Sequence, residues 1–424
     1  MISARLNRRP LPKSLWILGA ISLFADLAGE MTYPLLPLFV TGVLGASPVA
    51  LGLIEGFAEA IVSVMRGLSG YYSDATGHRV RWVRRGYGIT FIGKIFVMIA
   101  SHWSFVLCGR TLDRVGKGVR GAPRDALIAE SVSIQDRGRA FGFHRGVDSL
   151  GGVGGALIAA AVLAWLIGSR AATPQDAPQF RIIFAIAAAS SAVALFMTWL
   201  IPHTSPTQVE QRQKDFAKST GVPYGKSFWI AMSALVLFML GNSSDTFLLL
   251  RALDLGQSPV TCVLLYALFN ATYTAASYPM GLLSDRHGRW PVLATGWAIY
   301  AVSYAGFAML RRDSSWMFWV LFGLYGVSVA CTEGTARAMI TDYAPKERLA
   351  SALGLFGFFQ GAAVLIASVA AGILWSYGLP QIAFWMGSGF AVAALAVLPW
   401  VPGRVVHLPD AGTTVSIERL NSDS

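Results

Sequence analysis

Long apolar stretches recur along this chain, and short polar connections separate them. A helix of roughly 20 apolar residues matches the thickness of the hydrocarbon layer of a bilayer. The pattern therefore predicts an all-α membrane protein with twelve transmembrane helices. The twelve segments fall at about residues 15–40, 48–72, 86–102, 104–130, 139–167, 180–201, 226–251, 259–283, 290–310, 315–342, 348–375 and 381–401. The second and fourth contain ionisable residues, so we expect hydropathy alone to score them weakly.

Composition agrees with a chain that lies in lipid. Hydrophobic residues make up 54% of the sequence and charged residues 13%, whereas a soluble domain carries roughly a quarter charged residues. The three cysteines, Cys108, Cys262 and Cys331, are widely separated inside apolar segments. This spacing fits neither a disulfide framework nor a zinc site, and we expect no metal or cofactor.

The basic residues predict the orientation. If the N-terminus is cytoplasmic, the inner connections and termini hold 20 Lys and Arg and the outer loops hold 4. Cytoplasmic loops are the ones enriched in Lys and Arg, so both termini are expected in the cytoplasm. The net charge of +11 is then a topology signal, and nucleic acid is not an expected partner. Asp26 and Glu30 inside the first apolar run favour a retained helix over a cleaved signal peptide.

Internal repeats predict two homologous halves. The polar connection 202–225 separates an N-terminal six-helix bundle (1–201) from a C-terminal one (226–401), and a polar tail follows at 402–424. Three motifs recur at offsets of 211 or 213 residues, which is typical of a duplicated bundle. They are Ser47-Pro48-Val49 with Ser258-Pro259-Val260, Gly70-x-x-Ser73-Asp74-x-x-Gly77 with Gly281-x-x-Ser284-Asp285-x-x-Gly288, and Gly121-x-x-Arg124 with Gly334-x-x-Arg337.

The loop from Gly70 to Arg81 resembles the G-x-x-x-D-x-x-G-x-R motif of the major facilitator superfamily, and the stretch from Gly281 to Arg289 resembles it again. In that family the motif latches the two halves together on the cytoplasmic side in the outward-facing state. The resemblance implies that Asp74, Arg79 and Arg81 pair with the start of the eleventh segment and with Glu130. The implied latch residues are Gly70, Asp74, Gly77, Arg79, Arg81, Glu130, Gly281, Asp285, Gly288 and Arg289.

The fourth segment is similar to the R-x-x-x-G-x-G-x-G motif of proton-coupled antiporters in this family. Arg110, Gly116 and Gly118 fit the motif, while Arg114 stands where its first glycine falls. The resemblance implies a role in proton transfer for Arg110, with Arg114 as a rival. The glycine-rich fifth segment is similar to a drug-antiporter motif but lacks its proline. The usual distribution of the family implies a bacterial inner membrane.

Charged residues inside the predicted transmembrane segments indicate a functional site, because each costs roughly 2.5–3.5 kcal/mol in the membrane without a partner or water. The first half holds eight acids and eight bases at this depth, and the second half far fewer. Asp26 and Glu30 share one helix face, as do His144 and Asp148. These helix faces predict either a water-filled path that the charged side chains line, or a network of ion pairs in which acids and bases neutralise one another. The proton-coupling candidates are Asp26, Glu30, Arg110, His144 and Asp148.

Polar and aromatic residues on both halves are candidates for substrate contact. The positions of Glu55 and Glu59 map to Tyr266 and Asn270 in the second half. We expect a substrate whose charged end faces segments one, four and five, and whose body faces segments seven, eight and eleven. Glu333 and Arg337 are spaced for an i,i+4 ion pair. The substrate-binding candidates are Glu55, Glu59, Arg114, Lys117, Tyr266, Asn270, Tyr273, Asn242, Asp245 and Gln360.

The sequence carries no ATP-binding loop of the G-x-x-x-x-G-K-[ST] type, so an ion gradient or the substrate's own gradient is the expected energy source. The favoured hypothesis is a monomeric secondary transporter in the lipid bilayer that exports a small organic solute in exchange for protons. One alternative is proton-coupled or facilitated uptake of an organic anion. A second is a non-transporting receptor or scaffold. No enzymatic activity is expected.

Overall fold

The computed structural model describes residues 11–132, 137–168, 170–202, 224–313, 315–344 and 349–398, and over these residues the protein is helical without β-strands. Most of the predicted linker (202–225) and all of the predicted tail (402–424) lie outside the described residues. The helices are α1 Lys13–Thr32, α2 Pro48–Thr76, α3 Arg79–Met98, α4 Trp103–Glu130, α5 Arg137–Leu166, α6 Ala177–Met197, α7 Lys226–Met239, α8 Thr246–Asp254, α9 Pro259–His287, α10 Arg289–Met309, α11 Ser315–Tyr343, α12 Leu349–Ser376 and α13 Pro380–Val397.

Nine spans in the described part of the chain are long and apolar enough to cross a membrane. The span Pro48–Ser73 is among them, so the expectation of a weak score for the second segment was wrong. The fourth segment, α4, is not among them because charged residues run through it. The prediction of twelve transmembrane helices therefore stays a prediction.

Repeated sequence motifs produce repeated helix ends. The Ser47 hydroxyl accepts a hydrogen bond from the backbone N–H of Ala50 at the start of α2, and the Ser258 hydroxyl accepts one from Thr261 at the start of α9. In both helices a proline follows the capping serine, at a position where its missing N–H costs nothing. The Ser-Pro-Val repeat thus opens two helices, as predicted.

The seventh apolar segment is not one continuous helix. It forms α7 and α8, and the backbone leaves the α-helix between Leu240 and Asp245. This stretch contains Gly241, Asn242, Ser243 and Ser244, which are poor helix formers because glycine is flexible and short polar side chains compete for backbone hydrogen bonds. Two side chains hold the broken backbone: the Tyr300 hydroxyl donates to the Gly241 carbonyl, and the Ser244 N–H donates to the Ser368 hydroxyl.

The ends of the helix bundle differ in their packing. We call the end with the turns at Gly77 and Gly288 the α2–α3 end, and the end with the turns at Gly45 and Gly256 the opposite end. Helices α1–α6 meet α7–α13 chiefly where α2 packs on α12 and α5 packs on α9. At the opposite end the π-helix Leu38–Val43 and α8 bury most of their side chains, including Phe39 and Leu249, and Leu36 just before the π-helix is also buried. The opposite end is therefore closed.

Candidate functional site

A cavity of about 1200 Å³ lies between helices α1–α6 and α7–α13. Its lining runs from Tyr33 and Asp245 in the middle of the bundle to Ser73 and Arg79 at the α2–α3 end. Within the described part of the chain the opposite end is packed shut, and the cavity opens toward the α2–α3 end.

Charged side chains form the wall contributed by the first half. The lining includes Asp26 and Glu30 of α1, Glu59 of α2, and Asp148 of α5. From α4 it includes Arg114 and Lys117. The wall thus carries four acids and two bases from the candidate set.

Glu30 connects the two halves across the cavity. The hydroxyl of Tyr266, on α9, donates a hydrogen bond of 2.6 Å to Glu30 Oε2. Glycines of α5 let that helix pack closely behind α1: a Cβ atom at Gly155 would lie 2.6 Å from the Leu27 carbonyl oxygen, and one at Gly151 would lie 3.2 Å from the Cβ of Asp26. The glycine-rich face of α5 therefore fixes the depth and direction of both α1 acids.

Asp26 and Lys117 have polar groups that face the cavity without protein partners. Neither side chain makes a hydrogen bond or an ion pair with any residue the structure describes. Arg114, by contrast, pairs with Glu59 at 3.4 Å. Asp26 and Lys117 are therefore available to a proton or a substrate.

His144 and Asp148 form the pair expected from their spacing, with Nδ1 3.3 Å from Oδ2. The other ring nitrogen, Nε2, lies 2.8 Å from the Ser22 hydroxyl, which accepts a hydrogen bond from Arg124. Since that hydroxyl accepts from Arg124, its own proton can go to Nε2, and the Nδ1 proton then faces Asp148. His144 is buried while Asp148 reaches the cavity, so the pair connects the cavity to the interior of the first half.

Behind the cavity wall lies a network of buried charges. Arg110 binds Glu55 through two hydrogen bonds of 2.9 Å, and its third nitrogen lies 3.3 Å from Asp113. Lys94 completes the network, 3.2 Å from Asp113. Glu55 and Arg110 do not line the main cavity. Arg110 occupies both oxygens of Glu55 in this structure, and the expected substrate contact of Glu55 stays a prediction. Sequence reasoning also missed the Lys94–Asp113 pair, which joins residues 19 positions apart.

Aromatic and polar side chains form the wall contributed by the second half. All six candidates from this half line the cavity: Asn242, Asp245, Tyr266, Asn270, Tyr273 and Gln360. Tyr273 donates a 2.7 Å hydrogen bond to Glu333, and Glu333 forms the predicted ion pair with Arg337 at 2.9 Å.

Sequence reasoning missed three aromatic residues of this wall, Trp297, Tyr300 and Tyr325. The Tyr325 hydroxyl donates to Oδ1 of Asp245. The Tyr300 ring stacks on Tyr304 with centroids 4.0 Å apart. The spacing of Trp297, Tyr300 and Tyr304 along α10 is a weak signal, because such a stripe is also typical of ordinary packing, and Tyr325 lies on another helix, α11.

The candidate latch is formed in part. Arg79 pairs with Glu130, as predicted, and Arg289 pairs with Asp342 at 3.0 Å. Gly77 and Gly288 adopt positive φ angles of 68° and 94°, which favour glycine. Gly70 packs against Ala122, whereas Gly281 faces open space. Arg81 is exposed. The side chains of Asp74 and Asp285 and the residues 345–348 before α12 lie outside the described part, so the expected pairing with the start of the eleventh segment stays a prediction.

A multi-pass helical bundle with a charged central cavity open at one end is the architecture of a membrane transporter. Residues 18–253 and 228–415 match the family model of the Major Facilitator Superfamily. The chain belongs to this superfamily.

Relatives and solved structures agree with that assignment. An uncharacterized MFS-type transporter of Methanocaldococcus jannaschii is 31% identical over 401 residues, which cover 93% of this chain and 96% of the relative. The inner membrane transport protein YajR of Escherichia coli is 26% identical over 36% of this chain and 33% of its own length. The peptide transporter POT has a similar fold, with a TM-score of 0.72 at 14% identity over 94% of this chain and 98% of the other. A D-xylose–proton symporter gives a TM-score of 0.70 at 17% identity, over 92% and 97%.

Proposed function

We propose that this transporter exchanges protons for a small organic solute and exports the solute from the cell. The observation that carries the proposal is Glu30, a cavity-facing acid held by the Tyr266 hydroxyl of the other half. Asp26, one helical turn away, faces the same cavity. Two acids in a one-sided cavity can bind and release protons as the cavity changes its open side.

The contact between Glu30 and Tyr266 supports coupling between proton binding and movement. A hydrogen bond to a charged carboxylate is roughly twice as strong as one to a neutral group. Protonation of Glu30 therefore weakens a contact that ties α1 to α9 near the deep end of the cavity. The charged and the protonated forms of Glu30 therefore favour different arrangements of the two halves, so that proton and solute bind at different stages of the cycle, which is what an exchanger requires.

The proposed movement is a rocking of two bundles, 1–201 and 226–401, about the cavity. With both termini cytoplasmic, the α2–α3 end faces the cytoplasm and the cavity is open inward. The pairs Arg79–Glu130 and Arg289–Asp342 lie at this end. We propose that the latch motifs around them join the halves when the cavity opens outward. We further propose that the protein is a monomer and lies in a bacterial inner membrane.

Vesicles with a defined pH gradient test the direction. Inside-out membrane vesicles with an acidic lumen are given a panel of radiolabelled amines, carboxylic acids and amino acids. An exporter that exchanges protons accumulates its solute in these vesicles. A proton-coupled importer accumulates its solute in right-side-out vesicles with an acidic exterior instead, and that result would contradict the export direction.

The variant Glu30→Gln tests the proton site. We expect it to insert and fold normally and to lose accumulation driven by the pH gradient, while exchange of labelled for unlabelled solute at equal pH continues. The matched control is Asp313→Asn, which removes an exposed carboxylate of a loop and should transport as the wild type does. Unchanged proton coupling in Glu30→Gln would overturn the assignment.

Uptake of an organic anion is the second candidate. The cavity-facing bases Arg114 and Lys117 favour it, although Glu59 neutralises the first of them. The same vesicle experiment decides between the two.

A further inference from the structure

The cavity contains an unsatisfied positive charge at its deep end. Lys117 lines both the main cavity and a small adjoining void that Glu30 and Tyr33 also line. Its ammonium group has no ion pair or hydrogen bond with the residues the structure describes. Arg66 also lines the cavity and has no ion pair with the described residues, but its guanidinium packs directly on Gly121 of α4. Lys117 is therefore the base placed to meet a solute.

The facing wall contains an incompletely satisfied negative charge. Asp245 ends the break between α7 and α8 and lines the cavity. Its Oδ1 accepts the Tyr325 hydroxyl, while no described residue donates to Oδ2. The Oδ1 atom of Asn242, three residues earlier, also has no donor among the described residues. A carboxylate oxygen beside an amide oxygen is a pair of acceptors suited to an ammonium group.

Two aromatic rings lie beside this acceptor pair. Tyr325 donates to Asp245 and Tyr300 to the Gly241 carbonyl, and their rings lie 6.0 Å apart. Trp297 lines the same cavity. Aromatic faces attract cations and provide apolar area for a ligand. The wall of the second half thus offers a place for an ammonium group and for the apolar body that carries it.

We propose that the solute is a zwitterion with an aromatic or similar apolar body, whose carboxylate binds Lys117 and whose ammonium group binds Asp245. The inference rests on the proposed function, because it takes the central cavity as the place where the transported solute binds. A solute with a single charge would leave either Lys117 or Asp245 without a partner when the cavity loses its water. Unpaired charges in a closed, dry site are costly. A zwitterion pairs both charges at once and adds no net charge to the cavity, so the loaded cavity closes more readily than one filled by a singly charged solute.

The test uses two sets of ligands with matched bodies. The first set is phenylalanine, phenylalaninamide, which keeps only the ammonium charge, and N-acetylphenylalanine, which keeps only the carboxylate. The second is the dipeptide alanylphenylalanine with its amide and its N-acetyl derivative, which separates the charges further. Binding to the purified full chain is measured by titration calorimetry at pH 7. In at least one set we expect the zwitterion to bind about tenfold or more tightly than either derivative.

Two variants assign the charges. Lys117→Gln should lose the preference for the free acid over the amide but keep the preference for the free amine over the N-acetyl form. Asp245→Asn should do the reverse, and Lys117→Arg should restore the wild-type pattern. The controls Lys226→Gln and Asp313→Asn change exposed groups and should change neither preference.

Three results would overturn the inference: equal or tighter binding of a singly charged derivative in both sets, unchanged preferences in both variants, or no binding by any of the six ligands. The wild-type preference remains a test even if a variant fails to fold. The outcome is independent of the proton assay on Glu30→Gln. A zwitterion preference without proton coupling would support the substrate class and reject the exchanger, and the converse would reject the substrate class alone.

Discussion

Arg110 and Glu55 form a doubly hydrogen-bonded ion pair in the interior of the first half, with both contacts at 2.9 Å. The side chains are 1% and 0% exposed. The resemblance to antiporters implies a proton-transfer role for Arg110, yet its guanidinium faces Glu55 and Asp113 and not the main cavity. Its position indicates that it holds α2 against α4.

Breaking this pair should be costly. We expect Glu55→Gln or Arg110→Gln to lower the free energy of unfolding by roughly 3–5 kcal/mol, because each leaves a buried charge without its partner. Urea-induced unfolding in a mild detergent measures the change. The double variant Glu55→Met/Arg110→Met should recover most of the loss, since it removes both charges together.

The Glu333–Arg337 pair is the matched control, because its side chains are 34% and 39% exposed. Pairs of this kind contribute only about 0.3–0.5 kcal/mol, so Arg337→Gln should hardly change the unfolding curve. A loss in Arg110→Gln no larger than the loss in Arg337→Gln would show that the buried pair does not stabilise the first half.

Features that depend on neighbours in the sequence could be predicted. The long apolar stretches, the capping serines before Pro48 and Pro259, and the turn at Gly77 follow from local propensity and repeat spacing. The pairs His144–Asp148 and Glu333–Arg337 follow from the rise of a helix, which brings residues four apart onto one face. Both pairs are present.

Contacts between distant helices could not be predicted in the same way. The sequence shows that Glu55 and Arg110 are charged, but it does not show which face of α2 meets which face of α4. Glu55 was therefore expected at the substrate and is found beside Arg110. The same reason hides the aromatic wall: Tyr300 and Tyr325 meet across α10 and α11, and neither position alone distinguishes a cavity from ordinary packing.

The close packing of α2 on α12 yields a prediction about the closed end. A Cβ atom at Gly52 would lie 2.5 Å from the Ser368 carbonyl oxygen, so Gly52→Ala must push the two helices apart. We expect a loss of about 1–3 kcal/mol in stability, which is typical of overpacking. The opposite end should also open more often. Labelling of a Leu36→Cys reporter by a water-soluble maleimide measures the opening, because Leu36 is fully buried when that end is closed.

Gly146→Ala is the matched control for this variant. It is also a glycine inside a helix, but an added Cβ would meet nothing within 4 Å. Alanine has the higher helix propensity, so this variant should be neutral or more stable by up to about 1 kcal/mol. Equal labelling of the reporter in the two variants would contradict the role of Gly52 in closing the opposite end.

Gly67 and Gly354 bring α2 and α12 together farther toward the α2–α3 end. A Cβ atom at Gly67 would lie 3.7 Å from the Cα of Gly354, and one at Gly354 would lie 3.9 Å from the Cα of Gly67. Because each added Cβ would lie so close to the opposing Cα, cysteines at the two positions are near enough for a disulfide. In a background with Cys108, Cys262 and Cys331 replaced by alanine, Gly67→Cys/Gly354→Cys should form a disulfide under mild oxidation.

A protease site inserted in the connection 202–225 makes the cross-link visible, because only a disulfide then keeps the two fragments together on a non-reducing gel. Gly146→Cys/Gly281→Cys is the control pair, since an added Cβ at either position meets nothing within 4 Å, and it should give separate fragments. Rocking of the bundles changes the angle between α2 and α12, so the oxidised Gly67→Cys/Gly354→Cys protein should stop transporting and should recover after reduction. Full transport in the cross-linked protein would mean that α2 and α12 move as one body, and the pivot between the halves would then have to lie at this contact.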